Sequence, residues 1–153
     1  MGGRVIGCGN PDAGDDAVGL VVARAVRSRV PGDVDVVETR DPLRVLDLLD
    51  GVDRVVVVDA VRSTAGVREP GDLVRAEAGH DGLPASLRTS LSSHGLGIAE
   101  TIGLAAAMGS APLIVFHGVE VGSVTAGSGL SAAVAAVVPA LTRAVLADVR
   151  AVG

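Results

Sequence analysis

Short apolar runs alternate along the chain with stretches whose apolar positions recur every 3.6 residues, and the switches mark out alternating strands and helices. Arg4 to Cys8 reads as a short buried strand. Beyond the loop Gly9-Asn10-Pro11-Asp12-Ala13-Gly14, apolar residues fall at 18, 21, 22, 25 and 26, the spacing of one helix face. Further strands are predicted at Val34 to Glu38 and Arg54 to Asp59, with a short helix at Leu43 to Leu49 between them. The unbroken run Val55-Val56-Val57-Val58 suits a strand buried on both faces, which favours a parallel sheet. Asp72 to Ala78, behind the turn signal Pro70-Gly71, predicts an edge strand, and residues 79–92 predict an irregular loop. A helix is expected from His94 or Gly95 to about Met108, then a strand from Leu113 to Phe116 behind Pro112. The last helix has the clearest pattern: Ser131 can cap it, and apolar residues stand at 130, 134, 137, 138, 141, 145 and 149.

Strands that alternate with helices imply right-handed crossovers and helices on both faces of the sheet. The expected fold class is therefore α/β, a three-layer α/β/α arrangement around a mostly parallel, twisted sheet of about five strands. With 153 residues the chain fits a single domain over residues 1–153, large enough to bury roughly two-thirds of its extended surface. Phe116 is the only aromatic, so the core must be built from Val, Leu, Ile and Ala. All thirteen cations are Arg, spread singly, and a net charge of −5 argues against a nucleic-acid or anionic-membrane partner. A partner with a basic segment suits this balance better. Cys8 is the only cysteine, which excludes an intrachain disulfide and an all-Cys metal site and fits a reducing compartment. No signal-type segment precedes the first strand, and unbroken apolar runs fall short of the roughly 20 residues of a membrane span. A cytoplasmic monomer is expected.

In open α/β sheets, ligands bind beyond the carboxyl ends of strands, near the point where strand order reverses. Gly7-Cys8-Gly9-Asn10 and Asp59 lie at two such ends. Asp15 and Asp16 fall in or just before the first helical turn, where backbone N–H groups favour ionised carboxylates. His94 stands at a predicted helix start, where the dipole keeps imidazole neutral, as a metal ligand must be. Each residue also has a plainer role: an Asp can cap the helix, a strand-end Asp can bind loop amides, and a His there can simply pack. Two adjacent Asp residues exceed what one cap requires. Two carboxylates and an imidazole make an O,O,N set with open coordination positions, which suggests metal-assisted hydrolysis, although no compact HExxH signature is present. A dinucleotide loop is disfavoured because Asp12 stands where a third Gly is needed and the carboxylates would face pyrophosphate. A Cys8-His94 nucleophilic pair is conceivable, but Cys8 fits better as a small core residue. His117 stands near the same end of the sheet, with a packing role favoured, and His80 falls in a polar loop.

The series Gly7-Cys8-Gly9-Asn10, Asp15-Asp16-Ala17-Val18-Gly19, Val57-Val58-Asp59-Ala60, Ser93-His94-Gly95-Leu96, Gly118-Val119-Glu120 and Gly129-Leu130-Ser131-Ala132-Ala133-Val134 resembles the hydrogenase maturation protease family, in order and spacing over essentially the whole chain. The resemblance implies a phosphorylase/hydrolase-like fold and an endopeptidase. Its expected reaction is removal of the C-terminal extension from a nickel-iron hydrogenase large-subunit precursor after nickel insertion. It also implies that Asp16, Asp59 and His94 form the nickel-recognition and catalytic site, with nickel carried by the precursor. Whether the metal or an acidic side chain activates water stays open. Asp15 is expected to matter less, and Gly9 and Asn10 to shape the loop. The alternatives are a metal-gated binding or chaperone domain without proteolysis, and a metallopeptidase with another substrate.

Overall fold

A computed structural model describes residues 2–64, 66–79, 81–90, 97–109, 112–122 and 124–150. Five strands, β1 (Gly3–Cys8), β2 (Val34–Thr39), β3 (Arg54–Val61), β4 (Leu73–Ala78) and β5 (Leu113–Glu120), form one sheet in the order β2-β1-β3-β5-β4. All neighbours are parallel except β4, which runs antiparallel at the edge. The helices are α1 (Val18–Val26), α2 (Arg44–Asp47), α3 (Ala85–Ser90), α4 (Ile98–Ala107) and α5 (Ala132–Arg150), and a single 3-10 turn over Gly14–Ala17 leads into α1.

The pleat sends alternate residues of each strand to opposite faces, and both faces are covered. Val5, Val56, Val58, Val115 and Val119 meet α1 and α5, with Val22, Val26, Leu141 and Val145. Ile6, Val55, Val57, Ile114 and Phe116 meet the other layer, through Val45, Leu87, Ile98 and Ile102. The three-layer expectation holds. The chain leaves β1, crosses outward to β2, then returns past β1 to β3, so strand order reverses between β1 and β3.

Several boundaries differ from the sequence expectation, each for a packing reason. β3 runs two residues past Asp59 because β5 extends to Glu120 and the ladder continues through Asp59↔Gly118 to Val61↔Glu120. The stretch expected to be a loop contains α3, anchored by buried Leu83 and Leu87. α4 starts at Ile98, later than expected, because Gly97 is extended and its N–H is capped by the Glu100 carboxylate at 3.1 Å. On α1 the buried face is Val18, Gly19, Leu20, Val22, Ala23 and Val26, while Ala25 is exposed. The helix is rotated so that Gly19, with no side chain, faces the sheet: a Cβ there would lie 2.3 Å from the Cys8 carbonyl oxygen and 2.4 Å from that of Val58. By length and composition α5 is apolar enough to cross a membrane, although it holds no unbroken apolar run of that length. In this fold its Val134, Leu141, Val145, Leu146 and Val149 are buried against the sheet layer.

Candidate functional site

The site is built where strand order reverses. Beyond β1 the loop turns at Gly9, whose N–H donates to the Thr39 carbonyl at the end of β2, at 3.0 Å. A Cβ on Gly9, at φ +155°, would stand 2.0 Å from the Asp16 carbonyl oxygen, so only glycine lets loop and 3-10 turn close on each other. Asn10 completes the turn: its backbone N–H donates to Asp16 Oδ2 at 2.9 Å, and its side-chain oxygen accepts the Asp12 N–H at 3.0 Å. The fingerprint glycine and asparagine thus hold the Asp16 carboxylate at the mouth of the sheet.

Asp59 projects from β3 toward the same mouth, on the sheet face that carries Cys8. Part of its surface stays exposed, yet protein surrounds the carboxyl. Burial is the first cause that lifts its pKa well above the ordinary 3.8, repulsion from Asp16 adds to the lift, and the Ala60 N–H pulls the other way. The same two charges, after burial itself, raise the Cys8 thiol far above its ordinary range. Cys8 is therefore a protonated core residue and not a nucleophile. The structure brings Asp16 and Asp59 together. His94 lies outside the described residues, as does His80, and among the described residues no group of three His, Cys, Asp or Glu side chains is arranged to hold a metal.

Asp15 plays a different part from its neighbour. It is fully buried and accepts hydrogen bonds from the Gly122 N–H at 2.6 Å, the Ser131 N–H at 2.6 Å and the Ser131 hydroxyl at 2.8 Å. Instead of capping its own helix it ties the 3-10 turn to the segment leading into α5. The capping role open to Asp15 from sequence is therefore replaced by this tie between distant segments. Asp15→Ala leaves three partly buried donors without their acceptor and should cost about 1–3 kcal/mol, read as a lower urea midpoint with an unchanged slope.

Comparison with known proteins bears on the family and the fold. The hydrogenase maturation protease family profile matches residues 18–148, a span that includes Asp59 and His94 and begins just after Asp16. The chain belongs to the hydrogenase maturation protease family. Its structure superposes on the hydrogenase maturating endopeptidase HybD from E. coli with a TM-score of 0.79 and 26% identity, covering 100% of this chain and 94% of that one. An endopeptidase from Escherichia coli superposes with a TM-score of 0.81 and 25% identity, again over 100% and 94%. A [NiFe] hydrogenase maturation protease HybD from Thermococcus kodakarensis shares the fold at a TM-score of 0.70 and 23% identity, over 94% and 96%. Direct comparison with curated protein sequences gives no match.

Membership in the hydrogenase maturation protease family makes the chain an endopeptidase of hydrogenase maturation by class. Glu120, buried at the end of β5, accepts the Ser63 N–H at 3.0 Å and its hydroxyl at 2.5 Å, and Arg68 donates to that hydroxyl at 2.7 Å. It fastens the segment that follows Asp59. His117 is buried on the far face of the sheet, with Nε2 2.6 Å from Asp148, which also receives two bonds from Arg75. Burial, the largest cause, holds its pKa below the usual histidine value; Asp148 pulls it back up, and the Arg75 charge adds to the lowering. Its bond to Asp148 fastens β5 to α5, away from the face that carries Asp59. The contacts of Asn10 are of the loop-shaping kind expected of it, whereas the Ser63-Glu120 pair goes beyond the sequence expectation, the Gly118-Val119-Glu120 motif being the available signal.

Proposed function

We propose that this protein removes the C-terminal extension of a nickel-iron hydrogenase large-subunit precursor, in the cytoplasm and as a monomer, after nickel has been inserted. The observation that carries this reading is the convergence of Asp16 and Asp59 at the switch point of the sheet, where, among the described residues, neither forms an ion pair. Two like charges held together without a cation suit a site that meets its cation on the substrate. Asp16, Asp59 and His94 are assigned to nickel already held by the precursor, which brings the scissile bond into register. Nickel so placed would polarise the scissile carbonyl or supply hydroxide. A metal borne by the substrate also accounts for selectivity: only a loaded precursor completes the site.

The test is intact-mass analysis of a matched precursor, with and without inserted nickel, after incubation with this protein or its His94→Ala variant. The expected result is loss of a defined C-terminal peptide only from the nickel-loaded precursor and only with the unmutated protein. An unchanged mass despite verified nickel loading would point to a metal-gated binding or chaperone domain, or to another substrate.

A further inference from the structure

The acidic site has a cation on its rim that the function above does not use. Arg40 follows directly on β2. Buried Thr39 fixes its backbone beside the site loop by accepting the Gly9 N–H at 3.0 Å. From there Arg40 Nη2 donates to the Asn10 side-chain oxygen at 3.1 Å, and the backbone N–H of that same Asn10 holds the Asp16 carboxylate. One loop residue therefore separates an exposed guanidinium from a proposed nickel-contacting carboxylate.

The chemistry of this arginine is unsaturated. A guanidinium has five N–H donors in a rigid fork matched to a carboxylate. Among the described residues Arg40 uses one, on a neutral amide, and pairs with no carboxylate. Elsewhere the arginines near acids are committed: Arg24 and Arg27 share Glu38, and Arg75 holds Asp148. A peptide carboxylate approaching Asp16 and Asp59 would be repelled unless a cation stood beside them, and Arg40 is placed to meet it.

We propose that Arg40 is a specificity-determining residue that receives a carboxylate of the substrate's extension, from an Asp or Glu side chain or from the chain terminus. The assignment rests on the protease reading above. It is tested with nickel-loaded precursor in three forms: unaltered, with the Asp and Glu residues of the extension changed to Asn and Gln, and with the terminal carboxylate amidated by peptide ligation. Each is processed by the unmutated protein and by Arg40→Ala and Arg40→Lys. Arg40→Ala should raise KM about tenfold and move kcat less than threefold, with Arg40→Lys in between because a point charge replaces the fork. Whichever neutralised precursor reproduces that KM rise with the unmutated protein, and shows no further rise with Arg40→Ala, identifies the source of the carboxylate. An unaltered KM in Arg40→Ala, or the same rise on both neutralised precursors, overturns the assignment while leaving the protease reading intact. Absence of any cleavage by the unmutated protein overturns the protease reading, and this assignment with it.

Discussion

Asp59→Asn is expected to lower precursor processing by at least about a hundredfold while making the protein harder to unfold at neutral pH. The two effects have one origin. In the folded chain the Asp59 carboxyl is surrounded by protein and faces Asp16, so its pKa lies well above the 3.8 it has when free. A carboxyl whose folded pKa is raised binds its proton more tightly in the native state than in the unfolded chain, so stability falls as pH rises between the two values. Below the unfolded value both states are protonated and Asp59 costs nothing. Above the folded value the full cost of the ionised group is present. Replacing the carboxylate by an amide of the same shape removes that cost and removes the charge a cation would need. Thermal unfolding from about pH 4 to about pH 9 should show the variant and the unmutated protein together at the acid end and diverging as pH rises. Each kcal/mol relieved is worth about 2–4 °C in a chain of this size. A variant that unfolds earlier than the unmutated protein and still processes the precursor would reduce Asp59 to a structural hydrogen-bond partner.

Gly19→Ala should be the most damaging change outside the site. Its new Cβ would enter the space between α1 and the ends of β1 and β3, 2.3 Å from one carbonyl oxygen and 2.4 Å from another. Both obstacles are backbone of central strands, held by parallel ladders on either side, so neither can swing away as a side chain would. The helix must move outward, which separates Val18, Val22 and Val26 from the valines beneath them. A loss of about 3 kcal/mol or more is expected, a large share of the stability of an ordinary domain. The measurement is a urea titration, with processing assayed at low temperature where the variant remains folded. A midpoint equal to that of the unmutated protein would mean that α1 slides freely on the sheet.

Much of this architecture was readable from the sequence because burial on both faces leaves a strong mark. The valine run of β3 and the period of α5 need no partner to be recognised. What escaped depends on partners far along the chain. The reach of β3 beyond Asp59 is set by β5, and nothing local announces it. α3 is one and a half turns of mixed polarity, too short to show a period, and is fixed by Leu83 and Leu87. Of the proposed site, Asp16 and Asp59 could be placed because Asp16 stands just before the apolar period of α1 begins and Asp59 closes the valine run of β3. The residue pattern alone does not separate the two adjacent Asp residues, and only the family resemblance singles out Asp16, since their difference lies in what they touch: Asn10, six residues away, for Asp16, and residues 107 and 116 positions away for Asp15. Arg40 gave no sequence signal at all. Its meaning comes from β2 ending beside β1.

The bond from Ser131 to Asp15 also has a consequence for synthesis. The turn that carries Asp16 is emitted early by the ribosome, but its buried neighbour finds three of its donors only when the segment through Ser131 has emerged. Contacts that span so much sequence form late. A chain that stops short of Ser131 therefore lacks both of the Ser131 ties that hold the turn carrying Asp16.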